Sequence, residues 1–330
     1  MSKKVMLVFT ISIFILIFVA SWGLAADPGL PVINVAYHPN LNGAPTIAIG
    51  ESKGFFKAEG IIVKPVRFTA GPPEMAALSA GDLDIGFLGA GASFLAMQGN
   101  ATILTIDDMP IADGILAWPD SKIKQPRDLK GHTIAYTQGT SSEMILLLAL
   151  KEANLTKSQV NLQPMSPEAA TTAFQAHRVD AICTFVPYVS QITTAIPKVV
   201  TVRTIKFYYK NFVAPNIWIA NKNFLATKRD LAIKFLRAWM KANDYRARHL
   251  EEAAVITSKF ADVPVAVLKS SMNTTQWLKS SEVVKMTKDG TVDHWMVSLG
   301  NMFVNMGLLP KVVPTEQYFD KSLLLEAAGK

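Results

Sequence analysis

Cysteine is almost absent from this 330-residue sequence, and its histidines are few and scattered. The single cysteine, Cys183, has no partner for a disulfide within the chain and cannot alone build a metal site. The five histidines have neither metal-ligand spacing nor a nucleophile motif beside them. We therefore expect no catalytic centre, no bound metal and no other cofactor.

Concentrated charge of one sign is also lacking. The chain carries a formal net charge of +7, which falls to +5 when Lys3 and Lys4 are removed. The remaining basic residues are scattered and form no stretch that would bind a phosphate backbone. Nucleic acid is therefore not an expected partner.

Long apolar runs are missing as well, except at the amino terminus. There Lys3 and Lys4 precede the apolar run Val5 to Ala20, and small residues follow up to Ala25. This pattern predicts a signal peptide, residues 1–25, that is cleaved on export to the periplasm. A retained membrane anchor is the alternative, because the run is close to the lower length bound for a bilayer span.

Strand-like and helix-like segments alternate through much of the remaining chain. The predicted strands are Val32 to Tyr37, Ile61 to Phe68, Asp84 to Leu88, Thr133 to Tyr136 and Val179 to Thr184. The predicted helices are Ala44 to Ala58, Gly71 to Gly81, Phe94 to Gln98, Glu143 to Ala153 and a long amphipathic region from Lys228 to Lys259. Such alternation predicts βαβ units and mainly parallel sheets.

A short sequence pattern that occurs twice indicates two similar α/β lobes. The stretch Phe174 to Ile182 repeats the pattern of Leu78 to Gly86, a helix end, a tight reversal and a strand that starts with aspartate. The carboxyl third is expected to add helices that pack back on one lobe.

Small residues at the carboxyl ends of predicted strands indicate a binding site. In open parallel sheets, ligands bind beyond these ends, where helix amino termini present free N–H groups. Ala90, Gly91 and Ala92 form one such turn, and Gln138 to Ser142 form a second, so the two turns predict a site for an anion. Ordinary βα turns also favour small residues. A dinucleotide fingerprint is disfavoured because Phe94 stands where its third glycine should be.

Aromatic residues at other predicted strand ends suit an apolar wall around a small ligand. These are Tyr37, Phe185, Tyr188 and Trp218. Single aromatic residues more often belong to the core.

Five stretches together resemble a known family, the periplasmic substrate-binding proteins of ABC importers for taurine, alkanesulfonates, nitrate and thiamine precursors. The stretches are AIGESKGFFKAEGI (Ala48 to Ile61), ALSAGDLDIGFLG (Ala77 to Gly89), PRDLKGHTIAY (Pro126 to Tyr136), ATTAFQAHRVDAICTFVP (Ala170 to Pro187) and APNIWIANKNFLA (Ala214 to Ala226). The resemblance covers nearly the whole chain after the signal and is specific for the family, not for a ligand.

The resemblance implies the α/β, two-lobed periplasmic-binding-protein fold of type II. Each lobe is then a mainly parallel sheet flanked by helices, and two crossing segments form the hinge, near Gly114 to Trp118 and Ile217 to Ala220. The implied division is residues 26–115 in lobe 1, 116–219 in lobe 2, and 220–330 returning to lobe 1 with the carboxyl-terminal helices.

Site residues follow from the resemblance where the motifs match. Ala90 and Gly91 correspond to a turn that relatives present to an oxyanion, and Thr140 and Ser141 to the matching turn of the second lobe. Taurine-binding relatives carry an aspartate where this chain has Asn216, and an amide cannot neutralise a buried ammonium. The resemblance therefore implies an amine-free sulfonate or carboxylate, with taurine disfavoured. The residues expected to line the site are Tyr37, His38, Asn40, Gly71, Ala90, Gly91, Ser93, Gln138, Gly139, Thr140, Ser141, Phe185, Tyr188, Asn216 and Trp218.

The implied function is transport, not catalysis. The chain is expected to act as a monomer that captures a small organic anion and delivers it to ABC permease and ATPase subunits. Two alternatives remain open. The chain could be a ligand-sensing protein for a membrane receptor, or it could be related to proteins that bind or synthesise the pyrimidine part of thiamine. The single cysteine and the export signal argue against the enzyme.

Overall fold

Two five-stranded sheets form the framework of the computed structural model, which describes residues 29–329. The twelve strands are β1 (Val32–Tyr37), β2 (Ile62–Arg67), β3 (Ile85–Leu88), β4 (Thr102–Ile106), β5 (Asp108–Pro110), β6 (Gly114–Ala117), β7 (Thr133–Tyr136), β8 (Asn161–Pro164), β9 (Ala181–Thr184), β10 (Val200–Thr204), β11 (Ile217–Ala220) and β12 (Thr275–Trp277). The predicted signal peptide, residues 1–25, lies outside the described residues.

Both sheets are mainly parallel, with one reversed strand each. The first has the order β2-β1-β3-β11-β4, and only β11 runs against its neighbours. The second has the order β10-β6-β9-β7-β8, and only β6 is reversed. Strands β5 and β12 form a separate antiparallel ribbon. The predicted α/β class with two mainly parallel sheets is confirmed.

Helices flank both sheets. They are α1 (Ala44–Ser52), α2 (Phe55–Ala58), α3 (Gly71–Ala80), α4 (Ser93–Leu95), α5 (Ser141–Glu152), α6 (Pro167–Gln175), α7 (Tyr188–Ala195), α8 (Ile205–Tyr208), α9 (Lys222–Arg248), α10 (Leu250–Ala261), α11 (Val265–Ser270), α12 (Ser280–Lys288), α13 (Thr291–Asn305) and α14 (Lys321–Ala328). In the described residues, no helix is both long and apolar enough to span a membrane.

Three predicted helices differ from the structure. The helix predicted from Ala44 to Ala58 breaks at Gly54, whose φ of +70° only glycine adopts readily. The long region from Lys228 to Lys259 is two helices, because the backbone leaves helical geometry at His249. The helix predicted from Phe94 to Gln98 is reduced to the single turn α4. A π-helical segment, Ala96–Asn100, follows it, and the backbone of Gly99 leaves helical geometry.

Capping side chains explain where the helices at the second sheet begin. Thr140 is extended, and its Oγ1 accepts a hydrogen bond from the Ser142 N–H at the start of α5. Ser166 caps α6 in the same way, by accepting from the Ala169 N–H. Thr140, from the predicted turn, and Ser166, which the sequence analysis did not single out, thus start helices at the carboxyl ends of β7 and β8.

The chain passes between the sheets twice, through residues 107–113 and residues 205–216. The two connections hydrogen-bond to each other: the Asn216 N–H donates to the Asp108 carbonyl (2.9 Å), and the Asp107 N–H donates to the Asn216 carbonyl (2.8 Å). Both segments predicted as crossings lie directly after these connections, as β6 in the second sheet and β11 in the first. The lobe boundaries at residues 115 and 219 stay predictions.

Candidate functional site

A small cavity lies between the two sheets, at the ends where their parallel strands finish. His38 follows β1, Gly89 follows β3, and Phe185 follows β9. The centre of a water molecule can occupy about 40 Å³ of this cavity, which is room for roughly one to three waters. The lining residues are His38, Asn40, Asn42, Ala70, Gly71, Phe87, Gly89, Ala92, Pro110, Asp113, Thr140, Ser141, Phe185, Val186 and Asn216.

Two turns, one from each half of the molecule, meet directly beside the cavity. The Gly91 N–H donates to Ser141 Oγ (3.2 Å), and the Ala90 N–H donates to Asn216 Oδ1 (3.0 Å). A Cβ on Gly91 would lie 2.1 Å from the Ser141 backbone nitrogen, so glycine is required for this approach. The amides predicted to hold a ligand oxyanion are therefore bound to side-chain oxygens of the protein.

A buried charge cluster supports the first connection between the sheets. Arg246 is 1% exposed, and its guanidinium lies 3.0 Å from Asp107 Oδ2 and 3.7 Å from Asp108 Oδ2. Burial and the neighbouring Asp107 carboxylate raise the pKa of Asp108, while Arg246 acts in the opposite direction. Asn216 Nδ2 and Asn42 Nδ2 both donate to Asp108 Oδ1, at 2.7 Å and 2.9 Å. Asn216 thus links this cluster to the Ala90 turn.

His38 and Glu74 form a second buried pair on the same side of the cavity. His38 Nε2 lies 2.8 Å from Glu74 Oε2, and the Phe87 N–H donates to Glu74 Oε1 at 2.5 Å. Burial raises the pKa of Glu74, and the bond from His38 opposes this rise. The pair holds the imidazole at the cavity wall, which explains why a polar residue is buried directly after β1.

Asp113 is the fourth buried acidic residue near the cavity and differs from Glu74, Asp107 and Asp108. It is 4% exposed, and Oδ1 accepts a hydrogen bond from the Val186 N–H (3.1 Å). The Ser141 hydroxyl lies within hydrogen-bonding reach, yet among the described residues no basic side chain forms an ion pair with Asp113. Burial raises the pKa of Asp113 to about 7, against the opposing effect of these two donors.

A sequence comparison identifies the family. The sequence profile described as NMT1/THI5 like matches residues 42–253, more than half of the chain. The chain belongs to this NMT1/THI5-like family.

Two relatives support that assignment over most of the chain. A protein of Brucella abortus (strain 2308), named as a binding protein, is 30% identical over 296 residues, 90% of this chain and 92% of the relative. A protein of Bacillus subtilis (strain 168), named as binding aliphatic sulfonates, is 27% identical over 301 residues, 87% of this chain and 88% of the relative.

Solved structures share the fold of this NMT1/THI5-like protein. The periplasmic nitrate-binding protein NrtA from Synechocystis PCC 6803 has a TM-score of 0.74 at 14% identity, over 91% of this chain and 89% of its own. The desulfurization enzyme DszB has a TM-score of 0.66 at 14% identity, over 91% of this chain and 99% of its own. The predicted periplasmic-binding-protein fold is thereby confirmed, and at such identities the likeness concerns fold alone.

Seven residues predicted for the site lie on the cavity wall. They are His38, Asn40, Gly71, Thr140, Ser141, Phe185 and Asn216. Six of them follow β1, β2, β7 or β9, whereas Asn216 lies directly before the reversed strand β11.

Eight other predicted residues are not part of the lining, namely Tyr37, Ala90, Gly91, Ser93, Gln138, Gly139, Tyr188 and Trp218. Trp218 is fully buried, and its ring contacts Phe87 and Phe235 edge-on, with centroids 5.2 Å and 5.3 Å away. Tyr37 packs on Phe260.

Hydrogen bonds within the protein account for most of the remaining residues. Tyr188 donates to Glu168 Oε1 (2.6 Å), and the Gly139 N–H donates to Glu143 Oε2 (2.8 Å). The Ser93 hydroxyl donates to the Ala90 carbonyl (2.7 Å). Gln138 is exposed. Ala90 and Gly91 lie behind the wall, with their amides directed at Asn216 and Ser141.

The sequence interpretation missed eight residues of the lining: Asn42, Ala70, Phe87, Gly89, Ala92, Pro110, Asp113 and Val186. Asp113 carried a usable signal, because it interrupts the apolar stretch from Met109 to Ala117. An aspartate in such a stretch is seldom buried without a function or a partner. Among the described residues, no group of three or more His, Cys, Asp or Glu side chains is arranged to hold a metal ion.

Proposed function

We propose that this protein captures a small solute in the cavity between its two sheets and delivers it to the permease and ATPase subunits of an ABC importer in the periplasm. Support comes from the family and from relatives named as binding proteins. The sulfonate-binding name of the Bacillus subtilis relative supports a solute with a sulfonate or carboxylate group.

The contact between the Gly91 turn and the Ser141 turn carries this proposal. It joins the two halves of the molecule, and the remaining cavity is too small for an organic solute. Entry therefore requires the two turns to separate, and a solute that contacts both halves then favours an arrangement in which it lies between the two turns. Ser141 Oγ and Asn216 Oδ1 accept hydrogen bonds from the Gly91 and Ala90 amides, and oxygen atoms of a solute can accept these hydrogen bonds in their place.

A thermal-shift screen tests solute capture. The protein from residue 26 onward is heated with sulfonates, carboxylates, nitrate and pyrimidines, because a solute that binds only the folded state raises the melting temperature. Phe185→Ala removes an aromatic ring from the cavity wall, and Phe207→Ala removes an exposed ring elsewhere. A melting-temperature rise that disappears in Phe185→Ala and remains in Phe207→Ala is expected; a rise that survives in both variants contradicts the proposal.

Delivery and catalysis need separate measurements. ATP hydrolysis by the matching transporter in membrane vesicles should rise when the loaded protein is added, whereas a sensor of a receptor would leave it unchanged. DszB has this fold and is an enzyme, so the bound solute should also be recovered and analysed by mass spectrometry. Unaltered solute is the expected result.

A further inference from the structure

Buried acidic groups outnumber buried basic groups around the cavity. The carboxyl groups of Glu74, Asp107, Asp108 and Asp113 are all at least nine-tenths buried. The basic side chains among them are His38 and Arg246. Charges removed from water are tolerated when they are paired, and this site has more acidic groups than basic groups to pair with them.

The surplus is concentrated at Asp113. His38 faces Glu74, and Arg246 faces Asp107 and Asp108, but in the described residues no lysine, arginine or histidine pairs with Asp113. The cavity lining also contains no lysine and no arginine. Asp113 is therefore a buried carboxyl group on the wall of the site, and within residues 29–329 its hydrogen-bond partners are neutral donors.

A protonated nitrogen is the chemical group that fits this position. It would supply the missing positive charge and donate hydrogen bonds to the carboxylate. The aromatic rings of Phe87 and Phe185, which also line the cavity, provide a compatible wall for a cationic group.

We propose that Asp113 determines specificity, by binding a protonated nitrogen on the solute. The inference rests on the proposed function, since it places the solute in this cavity. It also revises the expectation drawn from position 216: Asn216 has no charge, but Asp113 on the other connection offers the carboxylate that an ammonium requires.

Matched solutes test this inference on the unaltered protein. The pairs are taurine and isethionate, β-alanine and 3-hydroxypropanoate, and 3-aminopropanesulfonate and 3-hydroxypropanesulfonate; each pair differs only in an amine or a hydroxyl. In calorimetric titrations at about pH 8, the amine of at least one pair is expected to bind about tenfold more tightly than its hydroxyl partner, or better, equivalent to about 1.4 kcal/mol.

Asp113→Asn supplies the matched variant. The amide keeps an oxygen for the Val186 N–H and loses the charge, so affinity for the amine should fall to that of the hydroxyl partner. Asp120→Asn, at an exposed position, should leave the preference unchanged. Circular dichroism verifies that both variants are folded.

The pH dependence provides a test that needs no variant. Asp113 must be ionised to bind the amine, so amine affinity should fall about tenfold for each pH unit below about 7. Cys183 and Tyr209 interact electrostatically with Asp113, and His38 lies on the same cavity wall, paired with Glu74. Asp108 and Arg246 lie at the other end of the connection. Because these groups act on both members of a pair, the affinity ratio within the pair is the quantity to follow.

Three results would overturn the inference: hydroxyl members binding as tightly as the amines, the preference persisting in Asp113→Asn, or none of the three amines binding. An amine-free member that binds, and loses affinity in Phe185→Ala, would leave solute capture intact while removing this role of Asp113. The failures of the two proposals are thus distinguishable.

Discussion

The connection through residues 107–113 contains two buried acidic sites with opposite environments. At its start, Asp107 and Asp108 face Arg246, which is itself held by the Asn42 carbonyl (2.8 Å). At its end, Asp113 receives hydrogen bonds from neutral groups, and in the part of the chain that the structure describes no cation pairs with it. The first site pairs its carboxylates with a cation and anchors the connection. The second leaves an acidic group with a raised pKa on a cavity wall, which is typical of a binding residue.

Breaking the paired site should have the largest effect. Arg246→Met keeps much of the packing over the Trp277 ring but leaves two buried carboxylates without their cation. We expect the free energy of unfolding to fall by about 3–5 kcal/mol, as measured by urea denaturation at neutral pH.

The control is Arg229→Met. Arg229 is partly exposed and lies 3.0 Å from Glu326, so its loss should lower the free energy of unfolding by less than about 1 kcal/mol. Equal effects of the two substitutions would mean that the Arg246 cluster is not the anchor described above.

The unpaired site should make the empty protein less stable as the pH rises. Burial raises the pKa of Asp113 from 3.8 to about 7, so the folded protein holds this proton where the unfolded chain has released it. The free energy of unfolding therefore falls between about pH 4 and pH 7. Asp113→Asn should remove up to about 4 kcal/mol of this fall.

Other acids contribute in the same direction. Burial raises the pKa values of Glu51, Glu74 and Asp108, so Asp113→Asn should still lose some stability as the pH rises from about 4 to about 7. Urea denaturation of wild type, Asp113→Asn and Asp120→Asn across this pH range separates the contributions. If Asp113→Asn follows the wild-type curve, Asp113 is not an unpaired buried acid.

Local patterns were sufficient to predict the fold class. Each βα unit lies within a short stretch, and apolar strands alternate with capped helices. Six of the seven predicted residues that lie on the cavity wall follow from a general rule of such sheets, that turns at the carboxyl ends of parallel strands meet. Asn216 instead lies before the reversed strand β11.

The polar partners of the site could not be predicted in this way. The Gly91 amide is bound by Ser141, 50 residues away, and the Ala90 amide by Asn216, 126 residues away. The sequence predicts Trp218 at a strand end facing a ligand, but it lies within β11, a strand that is buried on both faces. Arg246 of α9 pairs with Asp107 and Asp108 and not with Asp113. This choice of partner follows from the tertiary packing of α9, so it could not be predicted from local sequence.

The smallest effect is expected from a substitution in the turn that contacts Ser141, next to Asp113. Gly91→Ala places a methyl group 2.1 Å from the Ser141 backbone nitrogen, so the two turns must separate. Gly89→Ala is the matched control, because its Cβ would meet nothing nearer than Ser141 Oγ at 3.8 Å. We expect Gly91→Ala to lower the free energy of unfolding at about pH 5 by about 1–3 kcal/mol, with little change in Gly89→Ala.

Separation of the turns should also admit water to Asp113, because the Ser141 hydroxyl then moves away from the carboxyl group. Its pKa should return toward the usual range, and the loss of stability with rising pH should become shallower, as in Asp113→Asn. Asn216 joins the Ala90 turn to Asp108, so its hydrogen bond to the Ala90 N–H should also weaken, while the ion pair between Arg246 and Asp107 should remain. Small-angle X-ray scattering should show a larger radius of gyration for Gly91→Ala than for Gly89→Ala; identical radii and identical pH curves would mean that the turns do not hold Asp113 away from water in solution.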